Sequence, residues 1–194
     1  MTNELERLVE ESNWLKNETP VTITRKDIQQ ISLLGYNTEE FLSFMVNKYE
    51  VLLHGSVQDK LECGKYILPG RHGPVYATNT ASIALLKSII YGGMLDNIGY
   101  PLDLSKDPLV VNLEGHKVPD TIREKGFVYI ISDTKKFTKP KGNHENYTWE
   151  RVLYDDCAKV SAIVEIEKED FKYPIKNTKT IKIENWILNE PGRI

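Results

Sequence analysis

Hydrophobic spacing divides this chain into two unlike parts, and that division constrains the fold more than any motif does. Through the first third, apolar residues recur at helical intervals. Leu5, Leu8, Val9 and Leu15 share one face, Ile28 and Ile31 point inward from a segment over 25–34, and Phe41, Leu42, Met45, Val46 and Tyr49 make a third stripe. Asn3 with Glu6, and Asn37 or Thr38 with Glu40, are spaced to cap helices, and Gly35 is placed to stop the second one. The texture then changes to short apolar runs at 49–54, 65–68, 75–78, 109–113, 126–132, 149–154, 159–167 and 180–187. One more helix is expected over 80–91, with Ile83, Leu86 and Ile90 on one face and Gly92-Gly93 as its stop. Helices gathered at one end and strands after them indicate an α+β fold rather than a doubly wound sheet. The absence of a strand running into GxGxxG argues in the same direction. We expect a helical segment over 1–48 beside an α+β domain over 49–194, with a long polar loop over 133–146.

Composition narrows the function classes. The 194 residues suffice for one domain with a real core. A net charge of -3 calls for no nucleic-acid or anionic-membrane partner. No apolar run approaches the roughly 18 residues of a membrane helix, and the acidic start lacks the pattern of a signal peptide. Cys63 and Cys157 form no CxxC pair and read as reduced thiols, so a cytoplasmic location is expected. The four histidines and two cysteines show no metal-ligand spacing, and the chain carries no P-loop, HExxH, EF-hand or GxSxG motif, so no metal is expected.

Three segments carry polar residues where chemistry could sit. His54-Gly55-Ser56 ends an apolar run: the histidine can meet a ligand hydroxyl, and the glycine lets a ligand approach the backbone. Gly70-Arg71-His72-Gly73-Pro74 forms a turn before Val75-Tyr76-Ala77-Thr78, where Tyr76 offers a flat face to a heteroaromatic ring. Glu150 opens the run Trp149-Glu150-Arg151-Val152-Leu153-Tyr154-Asp155, where a carboxylate can steady positive charge on a sugar ring. Each segment also has an ordinary structural reading. His54 would then be a half-buried histidine before a turn, Tyr76 a core tyrosine, and Glu150 an exposed strand glutamate paired with a lysine.

Taken in order, His-Gly-Ser ending a strand, Gly-x-x-Gly-x-Val-Tyr-Ala before a helix, and Glu-Arg-Val-Leu-Tyr-Asp on a later strand resemble the His-Tyr-Glu branch of the ADP-ribosyltransferases, which includes the poly(ADP-ribose) polymerases. The resemblance covers roughly 49–171. It implies a split β-sheet core and NAD as substrate. It further implies that His54 binds the adenosine-side ribose, Gly55 holds the nicotinamide amide through its backbone with Ser56 also in the NAD site, Tyr76 stands beside the nicotinamide pocket, and Glu150 is the catalytic glutamate. On the helix after the first tyrosine the family places a serine and a second, stacking tyrosine. Here Ser82 comes early, Lys87 stands where the stacking ring is expected, and Tyr91 lies one turn further on. The implied activity is ADP-ribosyl transfer to a protein, nucleic acid or small molecule, or NAD glycohydrolysis with water as acceptor. An RNA 2′-phosphotransferase-like enzyme and a non-enzymatic NAD- or ADP-ribose-binding or protein-interaction module are the alternatives. His54, Tyr76 and Glu150 are expected to line one cleft, bordered by the 133–146 loop.

Overall fold

A computed structural model describes residues 4–57, 65–69, 74–90, 111–112, 122–141, 148–154, 156–173 and 175–176. It is an α+β protein. Among the described residues four α-helices, α1 (Glu4–Glu11), α2 (Arg25–Leu33), α3 (Thr38–Tyr49) and α4 (Ala81–Ile89), accompany a mixed six-stranded sheet. Its strands are β1 (Val21–Ile23), β2 (Leu52–Ser56), β4 (Val75–Thr78), β6 (Lys125–Ile131), β7 (Glu150–Leu153) and β9 (Ala162–Glu167), in the order β1-β9-β6-β2-β4-β7. Two small ladders join β3 (Tyr66–Ile67) to β8 (Ala158–Lys159) and β5 (Val111–Asn112) to β10 (Ile175–Lys176).

Local sequence explains the helices. The Asn37 side chain accepts from the Glu40 N–H at 3.0 Å while the Glu40 carboxylate accepts from the Asn37 N–H at 2.7 Å, the reciprocal cap that the spacing predicts. Asp27 does part of the same work for α2, accepting from the Thr24 N–H at 2.8 Å. The α3 helix runs on through Tyr49, so the strand expected from residue 49 begins only at Leu52.

The strands are buried on two sides. Along β6, Val128 and Ile130 join the helices α1 to α4 in one core cluster, while Tyr129 and Ile131 join Leu52, Val75, Ala77 and Leu153 in a second. That is why this strand reads as an unbroken apolar run rather than an alternating one. The N-terminal helices are continuous with the first cluster through Leu5, Ile31, Phe41, Leu42 and Met45.

Two features depart from the expectations above. The N-terminal segment contributes a strand, β1, which pairs in parallel with β9. The run over 159–167 breaks at Val160 and Ser161, so that β8 pairs with β3 and β9 with β1 and β6. Residues 133–141 form part of the expected loop, and it is tied to the sheet: Thr138 bridges Val152 of β7, Phe137 packs on the second core cluster, and Lys136 meets Asp156 at 2.6 Å. Asn3, Cys63, Gly92, Gly93, residues 142–146 and the run expected over 180–187 lie outside the described residues. Among the described residues no helix is long and apolar enough to cross a membrane.

Candidate functional site

The strand order brings three distant segments together. His54, Tyr76 and Glu150 lie on β2, β4 and β7, which are consecutive neighbours in the sheet. Leu53 pairs with Thr78, and Thr78 pairs with Glu150. Directly opposed residues of antiparallel strands share a face, so Tyr76, Thr78 and Glu150 point the same way. The Asn79 N–H extends this pairing by donating to the Trp149 carbonyl at 3.1 Å. The chain then turns at Thr80 into α4, which folds back over the same face.

The two edges of β2 differ. Toward β6 it is paired at five successive positions, 52–56. Toward β4, among the described residues, it is paired only at Leu53 with Thr78. Beyond that point the His54 ring links the strands, its Nδ1 lying 2.6 Å from the Tyr76 carbonyl oxygen. A carbonyl only accepts, so Nδ1 donates to it, while Nε2 on the far side of the ring is itself buried. The N–H that sequence reasoning would offer to a ligand is therefore already engaged at Nδ1.

His54 stands one residue from Leu53, and strand alternation turns its ring to the other face, where it lies 6.0 Å from the Tyr129 ring. The structure thus gathers Tyr76 and Glu150 on one face and joins His54 to them through the parted seam. It does not set all three side chains on a common surface.

Gly55 serves a purpose that sequence reasoning missed. A Cβ there would collide with the Ala84 carbonyl oxygen and lie 2.9 Å from both Lys87 Cβ and the Ser88 nitrogen. Its missing side chain is what lets α4 lie directly on the sheet. Gly126 on β6 plays the same part under the Ser88 carbonyl. Ser56 and Ser82 are both buried. Tyr91 and the turn over 70–73 lie outside the described residues.

Glu150 is fully buried, with 0% of its side chain exposed, and the Lys87 ammonium approaches its Oε1 at 3.6 Å. Lysine pairing was the ordinary reading of this residue, but the carboxylate is interior rather than exposed. The same ammonium stands 5.8 Å from the Trp149 ring centroid and 6.0 Å from that of Tyr76. Lys87 is the one residue of α4 that is not buried, its side chain being 18% exposed. Its Cβ sits over Gly55 of β2 and its tip over β4 and β7, so the side chain spans the seam.

Lys87 and Trp149 are the residues to which sequence reasoning gave no role. The available signal for Lys87 was a single charge inside the otherwise uncharged stretch Ala81-Ser82-Ile83-Ala84-Leu85-Leu86-Lys87-Ser88-Ile89. A cavity of about 450 Å³ beside α3, lined by Glu39, Phe44, Asn47 and Tyr173 among others, contains none of these residues. Among the described residues no group of three or more His, Cys, Asp and Glu side chains is placed to hold a metal ion. Compared with protein-family models, with curated proteins and with solved structures, the chain matches none.

Proposed function

We propose that this protein transfers ADP-ribose from NAD to an acceptor, with Glu150 as the catalytic carboxylate. The observation that carries the reading is the adjacency of β2, β4 and β7. Three motifs spread over about a hundred residues, each weak alone, fall on consecutive strands with the glutamate at the start of its strand. We take the seam where β2 and β4 part, bridged by the His54 ring to the Tyr76 carbonyl, as the place where the ligand approaches, with Glu150 on the neighbouring strand β7.

The chemistry follows from the residues. The bond between nicotinamide and ribose C1′ breaks with its electron pair leaving on the nicotinamide nitrogen, and the ribose becomes oxocarbenium-like. A carboxylate held in a desolvated setting stabilises that developing charge more than it stabilises the ground state. An acceptor oxygen or nitrogen then bonds to C1′ and gives up its proton; with water as the acceptor the product is free ADP-ribose. Tyr76 and Trp149 offer aromatic faces beside the leaving ring.

Incubating the protein with NAD and measuring free nicotinamide tests the reading; turnover is expected, and its complete absence across candidate acceptors defeats it. Lys87 lying against Glu150 favours one second reading, a binding module without turnover, because a neutralised carboxylate stabilises a cation poorly. Binding of NAD by calorimetry without nicotinamide release would select that reading.

A further inference from the structure

Away from the seam, a basic island lies along the outer edge of β7. Residues 133–141 carry four lysines and one aspartate, in a chain whose net charge is -3. Lys135, Lys136, Lys139 and Lys141 are all exposed. Thr138 and Val152 exchange main-chain hydrogen bonds of 2.9 and 2.8 Å, which lays this segment against β7. The bridge is antiparallel, so Lys139 falls beside Arg151 on one side of it, and Lys136 falls with Tyr154 on the other. Tyr154 is 45% exposed, an open aromatic ring within a basic border. We propose that this flank binds single-stranded nucleic acid, its phosphates meeting Lys135, Lys139, Lys141 and Arg151 while a base stacks on the Tyr154 ring. The proposal goes beyond the transferase reading and does not depend on it.

The charges come first. Like charges opposed across a strand pair repel, and Lys139 and Arg151 are placed so. Among the described residues no carboxylate pairs with either of them, or with Lys135 or Lys141, and Asp156 is taken by Lys136 at 2.6 Å. An anion arriving there relieves a repulsion that the fold leaves standing. Arg151 is held in place for it. Its Nη1 donates to the Thr148 and Glu150 carbonyls at 2.8 and 2.7 Å, which fixes the guanidinium through only one of its nitrogens.

The ring decides the class of anion. Stacking on an aromatic side chain needs an unpaired base, and lysines supply point charges that follow a phosphate backbone without reading sequence. A duplex groove is entered by a helix or a two-stranded ribbon, whereas this segment crosses the edge of β7 with a single bridge. A membrane surface asks for apolar side chains to bury beside the cations, but Phe137, the large apolar side chain of the segment, is packed on the second core cluster. The charge of the whole chain conceals this surface, because it averages a local excess of lysine against acidic residues elsewhere.

The test is fluorescence anisotropy of a labelled oligothymidylate about ten nucleotides long, titrated with the full chain across a salt series. Binding is expected at low salt, and with about four phosphates neutralised the slope of log K against log salt should be about -3. Lys139→Gln combined with Lys141→Gln should weaken binding about tenfold and bring that slope to about -1.5. Tyr154→Ala should weaken binding about tenfold with the slope unchanged, whereas Tyr154→Phe, which keeps a ring, should bind as wild type does. All of these side chains are exposed, so thermal unfolding of the variants should match wild type and show that contacts, not the fold, were lost. No binding at low salt, a slope that the lysine changes leave alone, equal affinity for a duplex of the same length, or full binding by Tyr154→Ala overturns the proposal. Co-sedimentation with phosphatidylserine vesicles in place of oligonucleotide binding overturns it in favour of a membrane surface. Nicotinamide release is a separate measurement: its absence would remove the transferase reading and leave this surface standing, whereas an active enzyme that ignores oligothymidylate would do the reverse.

Discussion

Strand β2 has two edges built to opposite purposes. Toward β6 it is paired at every position from Leu52 to Ser56, and α4 is drawn down on that half by Gly55 and Gly126. Toward β4 the pairing is a single residue long among the described residues, and an imidazole stands where further main-chain bonds would be. The closed edge sets Leu52, Leu53, His54, Gly55 and Ser56 against Ile131, Ile130, Tyr129, Val128 and Phe127 in unbroken register. The parted edge collects His54, Tyr76, Lys87 and Glu150. A strand clamped along one side can leave the other open, because rigidity gained at β6 holds the lip in place without help from β4.

The sharpest way to probe the open edge is Glu150→Gln. It keeps shape and hydrogen bonding but removes the charge, and nicotinamide release should fall by about a hundred- to a thousandfold while NAD affinity measured by calorimetry changes little. An active Glu150→Gln protein would mean that the seam does not hold the catalytic group. On the closed edge, Gly126→Ala drives a methyl group into the Ser88 carbonyl. We expect a loss of about 3 kcal/mol in urea denaturation, at the upper end of overpacking costs. A neutral result would show that α4 can lift off the sheet without penalty.

His54→Ala removes the hydrogen bond from the ring to the Tyr76 carbonyl and should cost about 1 kcal/mol of stability, a typical net hydrogen bond. It should also weaken NAD binding, which Glu150→Gln leaves intact; stability and affinity both unchanged would strip the ring of either role. The smallest effect lies at the outer flank of β7. The hydrogen bond from Lys136, foremost among its contacts, holds the Asp156 carboxyl below its ordinary range. A depressed carboxyl favours the fold above its ordinary pKa, and the contribution is lost as pH falls through the lowered value. Lys136→Ala should move the Asp156 titration back up, as seen by NMR, with little change in stability because both groups are exposed.

What was legible in the sequence was what depends on near neighbours. The Asn37–Glu40 cap, the α4 stripe and the runs that became β4, β6 and β7 are fixed by residues a few positions apart. The β1 strand was not legible: three residues, Val21 to Ile23, carry no periodicity of their own, and their partners are Ala162 to Val164. The break at Ser161 was hidden for the same reason, since its N–H is claimed by the Ile130 carbonyl, a partner no local pattern reveals. Glu150 could be picked out because its motif travels with it along the strand. Lys87 registered only as a charge where a ring was expected, because its meaning depends on α4 folding back until its tip reaches β7. That Tyr76 and Glu150 share a face follows from register, which the spacing of the motifs alone does not contain.

The pairing of β1 with β9 also sets a timetable. On a ribosome, Val21 to Ile23 emerge long before Ala162 to Val164 exist, an interval on the order of ten seconds at ordinary synthesis rates. During that wait β2, β4, β6 and β7 can already assemble, but Ile23 lacks Ala162, Val164 and Ile166 of its core cluster, and closing so long a loop makes this edge of the molecule slow to assemble. The first of the described strands to be translated is therefore among the last to find its place.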